Sequence, residues 1–196
     1  MKSFVYLASQ SPRRRQLLEQ IGVRYELLLP SPDEDAEALE LLLPGEAPLT
    51  YVKRVTRLKL EAAMARLRAR NLPKGPVLCA DTTVALGREV LGKPENTQDA
   101  LRILKKLSGN THRVLTAVAI GDGKRRVSSV SISTVTFASM TPSQLKAYVA
   151  SGEPMGKAGA YGVQGLAAAH ISAIKGSYTG IMGLPLFETA ALLQQI

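Results

Sequence analysis

The stretch Phe4-Val5-Tyr6-Leu7-Ala8-Ser9-Gln10-Ser11-Pro12-Arg13-Arg14-Arg15-Gln16-Leu17-Leu18 decides how the chain is read. Its first half is an apolar run of strand character and places a first strand near residues 3–8. Its second half sets Leu17, Leu18 and then Ile21 at helical spacing and predicts a helix from about 12 to 21. Ser11 suits the N-cap, and Pro12 the first helical position, where a missing N–H costs nothing. Arg13 and Arg14 then fall in the first turn, where the positive end of the helix dipole disfavours each cation by a few tenths to about 1 kcal/mol. A bound anion removes that conflict. Strand, hydroxyl-bearing turn, helix N-terminus and paired arginines make a candidate polyphosphate cradle. The plainer alternative is a solvated basic turn.

Outward from this junction, strands and helices alternate, which predicts an α/β fold. Tyr25 to Leu29 read as a second strand. Pro30 to Pro48 form an acidic, proline-flanked stretch in which Ala36 to Leu43 suit a short helix. Thr50 is placed as the cap of a long helix running to about Arg70. Val77 to Ala80 read as a buried strand and Thr83 to Leu91 as a hairpin turning at Gly87. Thr97 is placed as the cap of a helix ending at Ser108-Gly109, followed by strands near 113–121 and 126–138. Thr141-Pro142 opens a helix that Gly152 stops, and Gly159, Gly162 and Gly165 mark a loop. A strand near 170–175 and a last helix starting around Pro185 complete the chain. No repeat, low-complexity tract or linker interrupts it, so residues 1–196 are expected to form one domain.

Composition narrows the function classes. At 196 residues, 45% hydrophobic and 21% charged, the chain is long enough for a real core. No stretch approaches the roughly 20 apolar residues needed to span a membrane. The N-terminus carries no export signature, and the single Cys79 excludes an intrachain disulfide; both fit a reducing cytoplasm. Cys79 itself reads as a small buried hydrophobe. The net charge of +9 raises nucleic acid as a partner, yet the positive residues are scattered. Aromatics make up 5% and Trp is absent, leaving little for base stacking. A basic surface attracts nucleotides equally, and charge alone does not choose.

Three places carry candidate chemistry. Asp81 follows the apolar run Val77-Leu78-Cys79-Ala80, and the carboxyl end of a buried strand is where open α/β sheets put their chemistry. The alternative for Asp81 is a turn-forming residue. Lys59 sits at the edge of the apolar stripe Tyr51, Val55, Leu58, Ala62 and Ala65, where a lysine ordinarily snorkels to water. Gly87-Arg88-Glu89-Val90-Leu91-Gly92-Lys93-Pro94 nearly matches a Walker A loop, but Pro94 replaces the hydroxyl residue that binds Mg²⁺. A P-loop is therefore rejected, while Lys93 stays available to neutralise phosphate. The three glycines at 159, 162 and 165 do not have dinucleotide-fingerprint spacing. His112 and His170 lack the paired spacing of a zinc site, and no catalytic triad is legible.

Taken together, these motifs resemble the Maf family of nucleoside triphosphate pyrophosphatases along nearly the whole chain. The resemblance rests on Leu7-Ala8-Ser9-Gln10-Ser11-Pro12-Arg13-Arg14, Ala80-Asp81-Thr82, Gly92-Lys93-Pro94 and Leu107-Ser108-Gly109 with His112 and Thr116. It continues through Ser151-Gly152-Glu153-Pro154, Lys157-Ala158-Gly159-Ala160-Tyr161-Gly162-Val163-Gln164-Gly165, Gly176-Ser177-Tyr178 and Met182-Gly183-Leu184-Pro185. It implies a mixed central sheet flanked by helices, related to inosine triphosphatases, in two lobes with a cleft between them. It implies hydrolysis between the α and β phosphates, giving the monophosphate and pyrophosphate, with Mg²⁺ or Mn²⁺ as cofactor. The stretch ending in Gln164-Gly165 is similar to members preferring dTTP and UTP. A cytoplasmic homodimer acting on a small nucleotide is implied, with neither membrane nor nucleic acid as partner.

Carried over residue by residue, the resemblance makes Asp81 the proton acceptor and a metal ligand, and turns Lys59 and Lys93 towards the phosphates. Arg13 and Arg14 match the paired arginines, with Ser9 and Ser11 supplying hydroxyls. Arg13, Thr82 and Gln164 occupy positions linked to substrate choice. A glutamine amide both donates and accepts, so it can pair with the edge shared by uracil and thymine. The family also carries an acid shortly after the second strand. Asp33, Glu34 and Asp35 are the candidates, and ungapped counting from Tyr25 selects Glu34, as a catalytic group and second metal ligand. Gly180 departs from the commoner, bulkier residue of its loop. The rival readings are a non-enzymatic nucleic-acid-binding or cell-division regulator and a purine-preferring triphosphate pyrophosphatase.

Overall fold

A computed structural model describes residues 4–196; Ser3, within the expected first strand, lies outside them. Strand β1 (Phe4–Leu7) feeds helix α1 (Pro12–Gln20), and β2 (Arg24–Leu27) returns beside β1 in parallel. Ser11 takes the N-cap position with Pro12 at N1, but its side chain makes no cap bond. Its N–H instead donates to Ser9 Oγ at 3.2 Å. The expected helix over 36–43 is one 3₁₀ turn, Ala38–Glu40, because Pro44 and the exposed leucines at 41–43 offer neither a continuing turn nor a face to bury.

Helix α2 (Pro48–Ala69) is the longest element and starts earlier than expected. Pro48 takes the first helical position and Ala47 the N-cap, so Thr50 is inside the helix rather than its cap. Strand β3 (Val77–Leu86) is one ten-residue strand that runs through Asp81; the expected break after Ala80 does not occur. It turns at Gly87 into β4 (Glu89–Leu91). Helix α3 (Thr97–Leu107) is capped by Asn96, whose Oδ1 accepts from the Asp99 N–H at 2.9 Å, one residue before the expected Thr97. The long strands β5 (Thr111–Gly121) and β6 (Arg126–Phe137) follow. Helix α4 (Pro142–Ala150) opens with a Thr141/Gln144 capping box. After two 3₁₀ turns come β7 (Ile171–Lys175), the short α5 (Tyr178–Met182), which was not expected, and α6 (Leu186–Leu193).

The sheet order is β2-β1-β3-β5-β6-β7, with β4 on β3. The β1–β2 and β1–β3 pairs are parallel and the remaining pairs antiparallel, giving the mixed sheet flanked by helices. Two large apolar groups hold it together. One gathers Val5, Leu7, Leu17, Leu18, Leu78, Val118 and Leu184 under α1 and α6. The other gathers Val84, Ile103, Leu104, Val114, Phe137, Tyr148 and Tyr161 under α3 and α4. Met182 packs against both, and the functional cavity opens between them. Among the described residues, no helix is long and apolar enough to cross a membrane.

Candidate active site

Strand lengths create the site. Strand β1 stays beside β3 only as far as Leu7, opposite Leu78, with one more bond from the Ala8 N–H to Leu78 O. Past that point β3 continues while the first chain turns away at Ser9. Asp81 therefore occupies the uncovered flank of a central strand, opposite Ala117 of β5, and is 8% exposed. It is mid-strand, but it stands just beyond the carboxyl end of β1. Around it lies a cavity of about 470 Å³.

Helix α2 crosses β3 with Val52, Val55, Thr56, Leu60 and Ala63 buried. Lys59 sits at the rim of that stripe, and its ammonium reaches 2.6 Å from Asp81 Oδ1 rather than pointing to open water. Its second partner is Glu40 Oε1 at 2.7 Å, and Glu40 Oε2 lies 2.9 Å from Lys93 Nζ. Burial works to raise the Glu40 carboxyl, but Lys59 and Lys93 outweigh it and hold the group at about 2. Asp81, Lys59, Glu40 and Lys93 thus form one alternating chain of charges along the wall.

The opening turn supplies the facing wall. Arg14 Nε donates to Gly183 O at 2.8 Å, and its Nη1 donates to Ser9 Oγ at 3.0 Å. Arg13 Nε donates to Met182 O at 3.3 Å. Burial lowers both guanidinium pKa values, because removal from water disfavours the charged form. Thr82 Oγ1 lies 3.0 Å from the Thr116 hydroxyl, which also reaches Gly180 O at 2.7 Å. Lys157 donates to Glu153 O, and burial, with Arg13 as a second cause, lowers its pKa. Six basic side chains on the wall (Arg13, Arg14, Lys59, Arg66, Lys93, Lys157) face three acidic ones (Glu37, Glu40, Asp81). The excess is positive.

Ser9, Ser11, Arg13, Arg14, Lys59, Asp81, Thr82, Lys93 and Gln164 all line this one cavity. Glu34 does not. Arg66 grips it through Nη2 to Oε2 at 2.6 Å and Nε to Oε1 at 2.8 Å, while Ser31 N–H also donates to Oε1. That clamp, chiefly the Arg66 hydrogen bonds, holds the Glu34 carboxyl at about 2. The structure therefore joins Glu34 to Arg66, which is on the wall, and not to Asp81. Glu40, Arg66 and Lys157 were not singled out from sequence as site residues. Glu40 had one local signal, a lone charge in Leu39-Glu40-Leu41, and Lys157 opens a stretch that carries the family resemblance; Arg66 had none.

The donor set suits a hard cation only in part. Asp81 meets Lys59 through Oδ1, and Ser9 and Thr82 add hydroxyl oxygens on the same wall. Among the described residues no group of three or more His, Cys, Asp or Glu could hold a metal alone. Mg²⁺ is ordinarily held by one or two carboxylates together with water and substrate phosphates, so the arrangement fits a cation shared with a phosphate ligand.

A concave, cation-rich wall around one buried carboxylate has the chemistry that suits phosphorylated small molecules. The chain belongs to the Maf family: the family described as Maf-like protein matches residues 4–196. It is 66% identical over 191 residues to a protein of Polaromonas sp. (strain JS666 / ATCC BAA-500) named dTTP/UTP pyrophosphatase, covering 97% of this chain and 95% of that one. A dTTP/UTP pyrophosphatase of Albidiferax ferrireducens is 65% identical over 194 residues, covering 99% and 97%. One of Cupriavidus pinatubonensis is 60% identical over 195 residues, covering 100% and 98%. A solved structure, "The structure of the Staphylococcus aureus Ham1 protein", overlaps with a TM-score of 0.44 at 18% identity over 68% of this chain and 70% of that one. That likeness is partial.

Proposed function

We propose that this protein hydrolyses nucleoside triphosphates, dTTP and UTP foremost, between the α and β phosphates to give the monophosphate and pyrophosphate. The observation that carries the reading is the Asp81–Lys59 pair in a wall of excess positive charge. Relatives of 60% identity or more over nearly the full chain, named dTTP/UTP pyrophosphatase, support the same reaction.

In this account Asp81 accepts a proton from the attacking water at a carboxylate oxygen. The water oxygen bonds to phosphorus, the bridging P–O bond breaks, and its electron pair leaves on pyrophosphate. Lys59, Lys93, Arg13 and Arg14 balance the charge that grows on the leaving oxygens, an effect worth several kcal/mol where cations are already in place. Lys59 has a second task, orienting Asp81 through its Oδ1. A divalent cation, Mg²⁺ or Mn²⁺, when bound at Asp81, supplies neutralisation of phosphate charge. Gln164 on the exposed lip and Thr82 on the wall face the base end, where an amide can meet the uracil or thymine edge. Glu34 acts through Arg66, as a positioning residue.

Product analysis with dTTP tests the reaction. Release of dTMP and pyrophosphate is expected; dTDP with orthophosphate contradicts it.

A further inference from the structure

The Glu40 carboxylate is divided between two ammonium groups, one oxygen to Lys59 and the other to Lys93, at 2.7 and 2.9 Å. Two oxygens on one centre bridging two lysines is also how a phosphate group would sit there. In the proposed hydrolysis both lysines serve the substrate phosphates, and Glu40 has no part in the chemistry. Yet an ionised carboxylate is the strongest local competitor that a phosphate oxygen would meet.

The surroundings separate the Glu40 backbone from its side chain. Tyr51 Oη donates to Glu40 O at 2.8 Å, and Arg54 Nη2 donates to Leu41 O at 2.7 Å. Arg54 also grips Glu46 at the far end of the segment, with 2.7 Å from Nε to Oε1. The peptide is therefore pinned to α2 at both ends. The side chain stands on a single 3₁₀ turn, Ala38–Glu40, and is 30% exposed. Rotation about its own bonds frees both lysines without moving the pinned backbone.

We propose that Glu40 is a built-in competitor for the substrate: it holds a phosphate position between Lys59 and Lys93 in the free protein and swings out when a polyphosphate enters. The inference rests on the pyrophosphatase reading of the cavity. A polyphosphate brings several oxyanions and can outbid one carboxylate, whereas a group of lower charge competes less well. Glu40 thereby favours polyphosphates over monophosphates, and its return after cleavage speeds departure of the products. The cost falls on affinity, since a ligand that binds only the Glu40-released form is weakened by the fraction of protein in that form.

Calorimetric titration of inorganic pyrophosphate into the metal-free, chelator-treated protein tests this directly. Glu40→Gln is expected to bind pyrophosphate about tenfold more tightly than the wild type, the gain from releasing a site that is free in roughly a tenth of molecules. Glu37→Gln removes the same charge from the same wall without touching either lysine and is expected to stay within about twofold, as a screened, exposed charge should. Glu40→Ala, with thermal melts of all variants, guards against a folding artefact. Equal or weaker pyrophosphate binding by Glu40→Gln and Glu40→Ala overturns the proposal. If no form, wild type included, binds pyrophosphate, the proposal falls as well. Product analysis of dTTP hydrolysis by the wild type then tells whether the pyrophosphatase reading falls with it.

Discussion

Lys59 Nζ and Asp81 Oδ1 are 2.6 Å apart, joining the middle of α2 to the middle of β3 across 22 positions of sequence. Each residue alone has an ordinary explanation, a snorkelling lysine and a polar residue in a strand. Their contact removes both. A lysine that reaches a buried carboxylate in the middle of a neighbouring strand has been placed there by helix-on-sheet packing, and the pair sets a candidate base beside a cation.

Asp81→Asn keeps the shape and removes the proton acceptor. Its kcat is expected to fall by about 10²–10⁴, the usual worth of a positioned general base, while nucleotide affinity changes by less than about threefold. Steady-state kinetics with a separate binding isotherm check both halves. A kcat near the wild-type value removes Asp81 from the chemistry.

Glu34→Gln leaves the largely buried Arg66 with a neutral partner. A loss of about 1–3 kcal/mol in unfolding free energy is expected from weakening that charge-assisted clamp. Because Glu34 is held by Arg66 and does not line the cavity, the metal concentration for half-maximal activity should stay the same. A several-fold rise in that concentration would return Glu34 to the metal as the family resemblance implied.

The two arginines of the opening turn should separate in their effects. Arg14 uses Nε for Gly183 O and Nη1 for Ser9 Oγ, a division that a lysine cannot copy. Arg14→Lys is expected to cost about 1–2 kcal/mol and lower the melting temperature. Among the described residues Arg13→Ala gives up one long bond, to Met182 O at 3.3 Å, so it should leave the melting temperature nearly unchanged. It should instead raise KM and alter the ranking of nucleotides. Identical rankings for Arg13→Ala and wild type would exclude Arg13 from substrate choice.

Acid should weaken the fold in two stages. His112 is buried with Nε2 on the Tyr161 hydroxyl at 2.8 Å and, among the described residues, no hydrogen-bond partner for Nδ1, and burial lowers its pKa from 6.5 to about 4. The unfolded chain therefore binds a proton that the folded one refuses. The stability contributed is complete above about pH 6.5 and declines by roughly 3 kcal/mol as the pH drops to about 4. Glu34 and Glu40 are held at about 2 against an ordinary 4.5, so their contributions are complete above 4.5 and disappear as the pH falls towards 2. Denaturant melts across this range read the slope, and His112→Phe should abolish the first stage. A first stage that persists in the variant assigns it elsewhere.

Much of this was legible locally. The strand–turn–helix at 4–20, the helix start at Thr141-Pro142 and the turn at Gly87 announce themselves within a few residues, because each is decided by neighbours in sequence. Asp81 was legible as a candidate but not as mid-strand. Its strand continues because β5 pairs with it from Val77 to Ala85, and that long-range ladder outweighs a local polar residue. Thr50 and Thr97 attracted the cap assignments that Ala47 and Asn96 hold, since Pro48 and the Asn96 side chain set those starts. Glu40 and Arg66 were illegible for a different reason. Their roles exist through partners 19 and 53 positions from Glu40 and 32 from Arg66, and residue spacing does not reveal such contacts.

The measurement that tests the central claim most directly is pyrophosphate release from a panel of dTTP, UTP, CTP, ATP, GTP, ITP and 7-methyl-GTP, each with Mg²⁺ and with Mn²⁺. The account predicts monophosphate and pyrophosphate as products, with dTTP and UTP ahead in kcat/KM. A purine at the head of the ranking would overturn the role given to Gln164 while keeping the reaction. No hydrolysis of any nucleotide with either metal would contradict the account as a whole.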